Sequence, residues 1–378
     1  MDREELNAWL RLLETPGIGL EGARRLLAAF GSPQAVLEAA PAALVAMVGP
    51  VLAQALGEVP TTVPALQNKT WQWLNEDPRR SILQLGDLDY PQALLETADP
   101  PLLLYLEGQR HLLGENALAL VGSRNPTEQG RDNAEAFAHA LGAAGLCIVS
   151  GLAQGIDAAA HLGALSAGAG TIAFVGTGLD QVYPPRNKAL ARQIADSGLL
   201  VSEYALGTPP LAANFPRRNR LIAGVSLGCL VIEAALRSGS LITARLASEA
   251  GREVFAIPGS IHSAQSRGCH ALIRQGAKLV ENAEDVLEEL RLTDPVGTRP
   301  SAGPACSADS GSEHSVPGLG GEHVRLLEAM GFDPVGLDAL QARGGWPTAQ
   351  LSVLLLELEL AGRVAALPGQ LFQRRQQG

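Results

Sequence analysis

Two hydrophobic periods divide this chain. Over residues 1 to 60 apolar side chains recur every three or four positions between short turns, the spacing of amphipathic helices. TPGIG, Thr15 to Gly19, lies between two such segments and predicts a helix-hairpin-helix, with a weaker second copy at Met47 to Pro50. Glycines in such a hairpin let the backbone turn tightly and leave helix N-terminal amides free to meet a phosphate. A plain helical-bundle turn would show the same pattern. From Asn116 to Leu290 the period changes. ALALVG, LCIVSG, TIAFVG, LLVSEY, GCLVIEA, EVFAIPG and AKLV are short apolar runs, each followed by a glycine turn or polar bend and then a helix-length segment. That alternation predicts buried strands of a parallel sheet with helices on both faces, an α/β core.

Residues 291 to 319 are rich in Pro, Gly, Ser and Ala without periodicity, so they predict a flexible linker. Beyond it, helices are predicted near Gly321 to Met330, Gly336 to Ala342 and Thr348 to Leu360, then a β-hairpin through Val364 to Gln373. This order fits a winged helix. Its recognition helix would be TAQLSVLLLELEL, which has no basic residue and two glutamates, a poor surface for a phosphate backbone. A structural or protein-contacting role is expected for it. The predicted organisation is a helical domain over 1–75, the α/β core over 76–290, the linker over 291–319 and the winged helix over 320–378.

A length of 378 residues suits two or three such domains. The net charge of -10 at first argues against a nucleic-acid partner, but its distribution reverses the argument. Residues 181 to 252 hold nine basic and four acidic residues, a net of +5, while every other segment is acidic and residues 1 to 100 carry -6. Distant charges are screened over a Debye length of about 8 Å, so one basic surface can bind phosphates on an acidic protein. The same argument disfavours DNA contact at the acidic N-terminal hairpin. MDREELNAWL has no basic n-region before an apolar run, and no stretch of about 18 apolar residues occurs, which predicts a cytoplasmic chain with no membrane span. Cys147, Cys229, Cys269 and Cys306 are scattered, the first two within strand-like runs, and suggest packing rather than disulfides. Cys269, His270 and His262 lack the paired spacing of a metal site, so no metal is expected.

The chemistry gathers at the ends of the predicted strands. VGSRNPTEQG puts Gly122, Ser123 and Arg124 at a strand-to-helix turn, where free helix amides and a guanidinium favour an anion. A tight turn with a surface arginine is the alternative. VGTGLDQVYPPRNKAL lacks the third glycine and the distal acid of a dinucleotide fingerprint, and sets Arg186 and Lys188 on a loop after a strand. NFPRRNRLIAG, Asn214 to Gly224, interleaves Phe215 with Arg217, Arg218 and Arg220. Aromatic faces stack bases and arginines pair with phosphates, the combination that holds single strands, although a solvated basic turn would look alike. RSGSLITA places Ser238, Gly239 and Ser240 before a helix, a second N-terminus suited to an anion. Asp157 and His161, four apart on one helix and downstream of Ser150, could be imagined as a triad. Ser150 is not in a nucleophile elbow, and such pairs are usually local helix interactions.

In this order, VGSR, SGLAQGIDAAAHLGAL, GTGLDQVYP, FPRRNRLIAG, VIEAALRSGSLITA and VFAIPG resemble the DNA-processing protein A (DprA/Smf) family. The resemblance extends to the lead-in DLDYPQALLETADPPLLLYLEG, the N-terminal helices and the winged helix. It implies a Rossmann-like core between a helix-hairpin-helix (SAM-like) domain and a winged helix. It also implies a homodimer that binds and protects incoming single-stranded DNA in natural transformation and helps load the RecA recombinase. By motif position Arg124, Phe215, Arg217, Arg218 and Arg220 would line the pocket, beside Lys188, Asn214 and the Ser238 to Ser240 turn. The chain departs from the family pattern at His270, where Asn is common, at Ala205, where Pro is common, and at Ala212 and Ala213, where many relatives carry a Lys. The last change removes a possible phosphate contact. No cofactor and no catalysis are expected. The competing reading is a nucleotide-cleaving phosphoribohydrolase on a similar core, but PGS at Pro258 to Ser260 is not its PGGxGT loop.

Overall fold

A computed structural model of the chain describes residues 1–290, 320–332 and 334–375, and the predicted linker at 291–319 lies outside the described residues. Five helices come first: α1 (Arg3–Glu14), α2 (Gly19–Phe30), α3 (Pro33–Glu38), α4 (Pro41–Gly57) and α5 (Val63–Glu76). The Asp2 carboxylate starts α1 by accepting from the Glu5 amide at 2.8 Å, which satisfies one orphan donor of the first turn. The TPGIG turn joins α1 to α2 as predicted. A second junction forms inside α4, where Gly49 adopts φ +81° ahead of Pro50. Glycine accepts the left-handed conformation and proline donates no amide, so the helix breaks at the predicted second hairpin. Leu6, Trp9, Leu26 and Val36 of these helices share one apolar cluster with Ile82, Tyr105, Ala173 and Leu200 of the central sheet. The helical region is thereby packed onto the core.

The sheet strands are β1 (Arg80–Gln84), β2 (Leu103–Gly108), β3 (Ala117–Val121), β4 (Cys147–Ser150) and β5 (Thr171–Phe174), then β6 (Leu199–Ser202), β7 (Gly228–Val231), β8 (Glu253–Ala256) and β9 (Lys278–Leu279). Between them run α6 (Gln92–Leu95), α7 (Glu128–Ala143), α8 (Ile156–Ser166), α9 (Lys188–Ser197), α10 (Asn214–Val225), α11 (Ser240–Glu249), α12 (Arg267–Arg274) and, after β9, α13 (Ala283–Glu289). All seven predicted runs are strands, and they pair in parallel. The unpredicted β1 and β2 add an antiparallel edge, with Leu83 opposite Leu104 and Tyr105 opposite Ser202. Within PPLLLYLEG the unbroken apolar run has no period to announce β2.

Strand order is β1-β2-β6-β5-β4-β3-β7-β8-β9. From β3 the chain winds outward to β6 in one direction and from β7 to β9 in the other. The crevice outside the carboxyl ends of β3 and β7 is therefore a topological switch point, where open α/β sheets receive ligands. Leu221, Ile222 and Ala244 of α10 and α11 cover one face, and Phe137, Leu141, Ile156 and Val286 of α7, α8 and α13 the other. Each fully buried Leu or Ile contributes about 1.5–3 kcal/mol.

The C-terminal unit comprises α14 (Gly321–Met330), β10 (Val335–Gly336), α15 (Leu337–Gly344), α16 (Thr348–Leu360), β11 (Val364–Leu367) and β12 (Leu371–Arg374). Its sheet order is β10-β12-β11, a winged helix with its own core of Leu326, Met330, Leu340, Trp346, Leu351 and Leu355. The two-residue β10 is too short to carry a period and was not predicted. Cys147, Cys229 and Cys269 are buried free thiols, each pushed up to about 12 by burial. Among the described residues no helix is long and apolar enough to cross a membrane, and no group of three or more His, Cys, Asp or Glu could hold a metal.

Candidate nucleic-acid interface

A cleft of about 480 Å³ opens at the switch point. The turn after β3 supplies Gly122, Ser123 and Arg124, the first turns of α10 supply Phe215 and Arg218, and the turn before α11 supplies Ser238, Gly239 and Ser240. Three segments far apart in sequence thus converge, as their motifs predicted. Arg237 and Gln265 complete the wall. Three guanidiniums, those of Arg124, Arg218 and Arg237, face one carboxylate, that of Asp157.

Phe215 is half-buried and stands at the centre of this site. The Arg124 guanidinium carbon lies 5.9 Å from its ring centroid, within cation-π range. The exposed ring of Tyr183 lies 5.5 Å from Phe215, tilted by 43°. Together they border a notch of about 90 Å³ that also touches Gln154 and Pro184. The first turn of α10 is pinned beneath. Asn214 Nδ2 donates to the Gly176 carbonyl at 3.0 Å, and the Tyr204 hydroxyl donates to the Asn214 carbonyl at 3.2 Å.

The floor of the cleft is ionic and saturated. Arg218 is 4% exposed and donates through Nη1 to the carbonyls of Gly151, at 2.7 Å, and Phe174. Burial holds its pKa down to about 10 against the opposing pull of Asp157. Asp157 in turn accepts from the amides of Gly151 and Ala153 at 3.1 and 3.3 Å, while burial raises its pKa. Arg218 therefore organises the ends of β4 and β5 and has little freedom to meet a phosphate.

The two helix N-termini at the switch point differ. At α7, predicted to be open to an anion, Glu233 Oε2 accepts from the Thr127 amide at 3.0 Å and Oε1 from the Thr127 hydroxyl at 2.6 Å. Thr127 caps the helix by accepting from the Gly130 amide at 2.9 Å. A Cβ at Gly130 would lie 2.4 Å from the Glu233 carboxyl, so only glycine admits this approach. An internal carboxylate occupies the place a pyrophosphate takes in a dinucleotide fold, which corrects the reading of α7 and removes that ligand's seat. At α11 the chain itself meets the first amides: that of Ser240 donates to the Ser238 hydroxyl at 3.4 Å, and those of Leu241 and Ile242 to the Ser238 and Gly239 carbonyls at 3.2 and 3.1 Å, while the Ser238 and Ser240 hydroxyls lie 2.7 Å apart. What that terminus offers an anion is the pair of serine hydroxyls lining the cleft.

Four predicted residues lie outside the cleft. Successive helical residues are turned by about 100°, so the arginines of PRRNR separate onto different faces. Arg217 is exposed and lines a different cleft of about 320 Å³ with Glu14 and Tyr204, beside the N-terminal helices. Arg220 is drawn into ion pairs with Glu203 and, at 3.3 Å, Asp99, which also pairs with Arg24 of α2. Burial raises the Glu203 pKa, and Arg220 opposes that rise. Arg220 thus joins the N-terminal helices to the core. Lys188 is exposed at the start of α9, and Asn214 is a scaffold residue. Ala212 and Ala213 are exposed just before α10. His270 Nε2 lies 3.0 Å from the Gly259 carbonyl and ties α12 to the loop after β8.

Ser150, Asp157 and His161 do not form a relay. Ser150 donates to the Leu120 carbonyl at 2.6 Å, Asp157 is held by backbone amides, and His161 Nδ1 meets the Thr171 hydroxyl at 2.7 Å. Sequence reasoning missed Tyr183, Arg237, Gln265 and Glu233. Tyr183 had a signal, an aromatic within a strand-end loop, but only the fold reveals that its ring meets Phe215.

The chain matches the family model for DNA recombination-mediator protein A over residues 81–291, with the family's N-terminal HHH domain at 3–60 and its winged-helix domain at 311–370. It is 44% identical to protein Smf of Escherichia coli over 298 residues, 79% of this chain and 78% of that one. The X-ray structure of DNA processing protein A from Streptococcus pneumoniae is similar at 40% identity and TM-score 0.66, covering 75% of this chain and 97% of that one. DNA processing protein A from Helicobacter pylori, described for its single-stranded DNA binding mode, is similar at 32% identity and TM-score 0.51, over 57% of this chain and 96% of that one. With the family model spanning more than half the chain, on a sheet whose motifs converge at one switch-point cleft, this protein belongs to the DNA recombination-mediator protein A family.

Proposed function

We propose that this chain is a single-stranded-DNA-binding recombination mediator that holds the strand across the cleft between β3 and β7. The observation that carries the reading is the convergence of Arg124, Phe215 and Tyr183 beside the Ser238 and Ser240 hydroxyls before α11. Aromatic faces stack bases of any sequence, and cations and hydroxyls take phosphates. A relative described for single-stranded DNA binding supports the same reading. The function extends to protecting incoming DNA and loading the RecA recombinase in natural transformation, in the cytoplasm where that recombinase acts. The protein acts without catalysis. Every carboxylate near the cleft is already engaged, Asp157 by backbone amides and Glu233 by Thr127.

A homodimer through the core fits the open edge of the sheet at β9, where Leu279 is 49% exposed. Light scattering that returns a monomer mass at working concentration would remove the dimer. For DNA binding, fluorescence anisotropy of labelled single- and double-stranded oligonucleotides over a salt series is the test. Single strands bind more tightly, and log affinity falls with log salt at a slope of about -1.4 or steeper, about -0.7 for each phosphate met by Arg124 and Arg237. Equal affinity for duplex, or a flat salt response, refutes the cleft. Release of free base from nucleoside monophosphates would favour the phosphoribohydrolase reading.

A further inference from the structure

The DNA cleft leaves one exposed surface unused, the outward face of α16. The inward face of this helix, Leu351, Leu354, Leu355 and Leu358, packs into the winged-helix core. Its outward face is also apolar. Val353 and Leu356 are each 55% exposed and Leu360 is 81% exposed, with Ala349 exposed one turn earlier. Ala349, Val353, Leu356 and Leu360 follow the alternating four-and-three spacing of a coiled-coil seam, in which Val353 and Leu360 stand at a positions and Ala349 and Leu356 at d. A helix apolar on both faces is normally covered on both.

In that register the two acidic residues fall at the positions that flank a seam, Glu357 at e and Glu359 at g. Both are exposed, and Glu357 also meets His323 Nε2 at 2.7 Å while remaining 53% exposed. Flanking charges select the partner of a helical pair. A second copy of α16 would offer these glutamates no cation, since the helix carries no Lys or Arg. A phosphate backbone would meet two carboxylates and no cation.

We propose that the outward face of α16 docks an amphipathic helix of another protein, apolar at its a and d positions and carrying Lys or Arg at its e and g positions. The face a winged helix ordinarily turns to duplex DNA is here a protein-binding seam. This inference stands independently of the single-strand cleft.

The test uses the full chain and a fluorescein-labelled peptide of about three heptads, with Leu at a and d and Lys at e and g. The basic peptide binds saturably and more weakly as salt rises, and its counterpart with Glu at e and g binds at least about tenfold more weakly. Leu356→Ser, at an exposed position that leaves the fold intact by circular dichroism, weakens the basic peptide by about tenfold or more. Glu359→Lys narrows the preference for the basic peptide, and with Glu357→Lys reverses it. Three results overturn the proposal: no binding of either peptide, equal binding of both, or self-association of the full chain that Leu356→Ser abolishes, which would make a second copy the occupant.

Discussion

Glu233 and Thr127 close the N-terminus of α7, with the Thr127 amide 3.0 Å and its hydroxyl 2.6 Å from the two carboxylate oxygens. The carboxylate substitutes for an anionic ligand. Glu233→Ala leaves the Thr127 amide without its acceptor and lowers stability by about 1–3 kcal/mol. It also removes a negative charge next to the cleft, so single-stranded DNA binds more tightly. Chemical denaturation and anisotropy on the same variant check both effects. A loss of affinity by a folded variant would mean that the closed terminus contributes to binding directly.

Phe215 and Arg124 act by different physics. Phe215→Ala lowers single-strand affinity by about 1–3 kcal/mol with little change in salt slope, because stacking is nearly independent of salt. Tyr183→Ala follows the same pattern with a smaller loss. Arg124→Ala instead reduces the magnitude of the slope by about 0.7. Salt titrations of the three variants separate them. Since Phe215 is only half-buried, its truncation leaves the melting temperature close to that of the parent.

Arg220 is a structural residue in a binding motif. Arg220→Ala strands the Glu203 carboxylate, whose side chain is 7% exposed, without its main partner. Breaking a buried pair in this way costs about 3–5 kcal/mol. Urea denaturation should therefore register the change, while DNA affinity of the folded fraction stays near the parent value. A stable variant with lost binding would return Arg220 to the DNA site.

His161 makes the core acid-sensitive. Fully buried against Thr171, it has its pKa pushed down to about 3 from an unfolded value of 6.5. Burial is the larger cause and the positive charge of Arg218 the smaller. Between those values the unfolded chain binds a proton that the folded chain refuses, so stability is full above 6.5 and falls as pH drops. Each unit within that window costs up to about 1.4 kcal/mol. The melting temperature drops between about pH 7 and pH 5, and the drop is smaller in His161→Gln. An identical pH profile for the variant would exclude His161 as the sensor.

Local pattern was sufficient for the parallel strands and the three C-terminal helices, because periodicity and glycine turns are local properties of the chain. It was insufficient for β1 and β2, whose edge pairing depends on a partner, β6, about a hundred residues away. The site divided in the same way. The motifs at Gly122 to Arg124, Phe215 and Ser238 to Ser240 could be read in sequence, since each combines a strand end, a turn and an anion-binding or stacking group.

Sequence by itself determined the α/β core, the family, and the presence of aromatic and cationic chemistry at strand ends, all carried by residue type and short-range spacing. Tertiary structure decided which of those groups share one cleft. Helical rotation sends Arg217 and Arg220 away from Phe215, and burial turns Arg218 into scaffold. Packing of β7 beside β3 brings Glu233 onto Thr127 and closes the anion site at α7. A charge acts through what surrounds it, and the surroundings of these arginines and carboxylates exist only once the sheet has assembled.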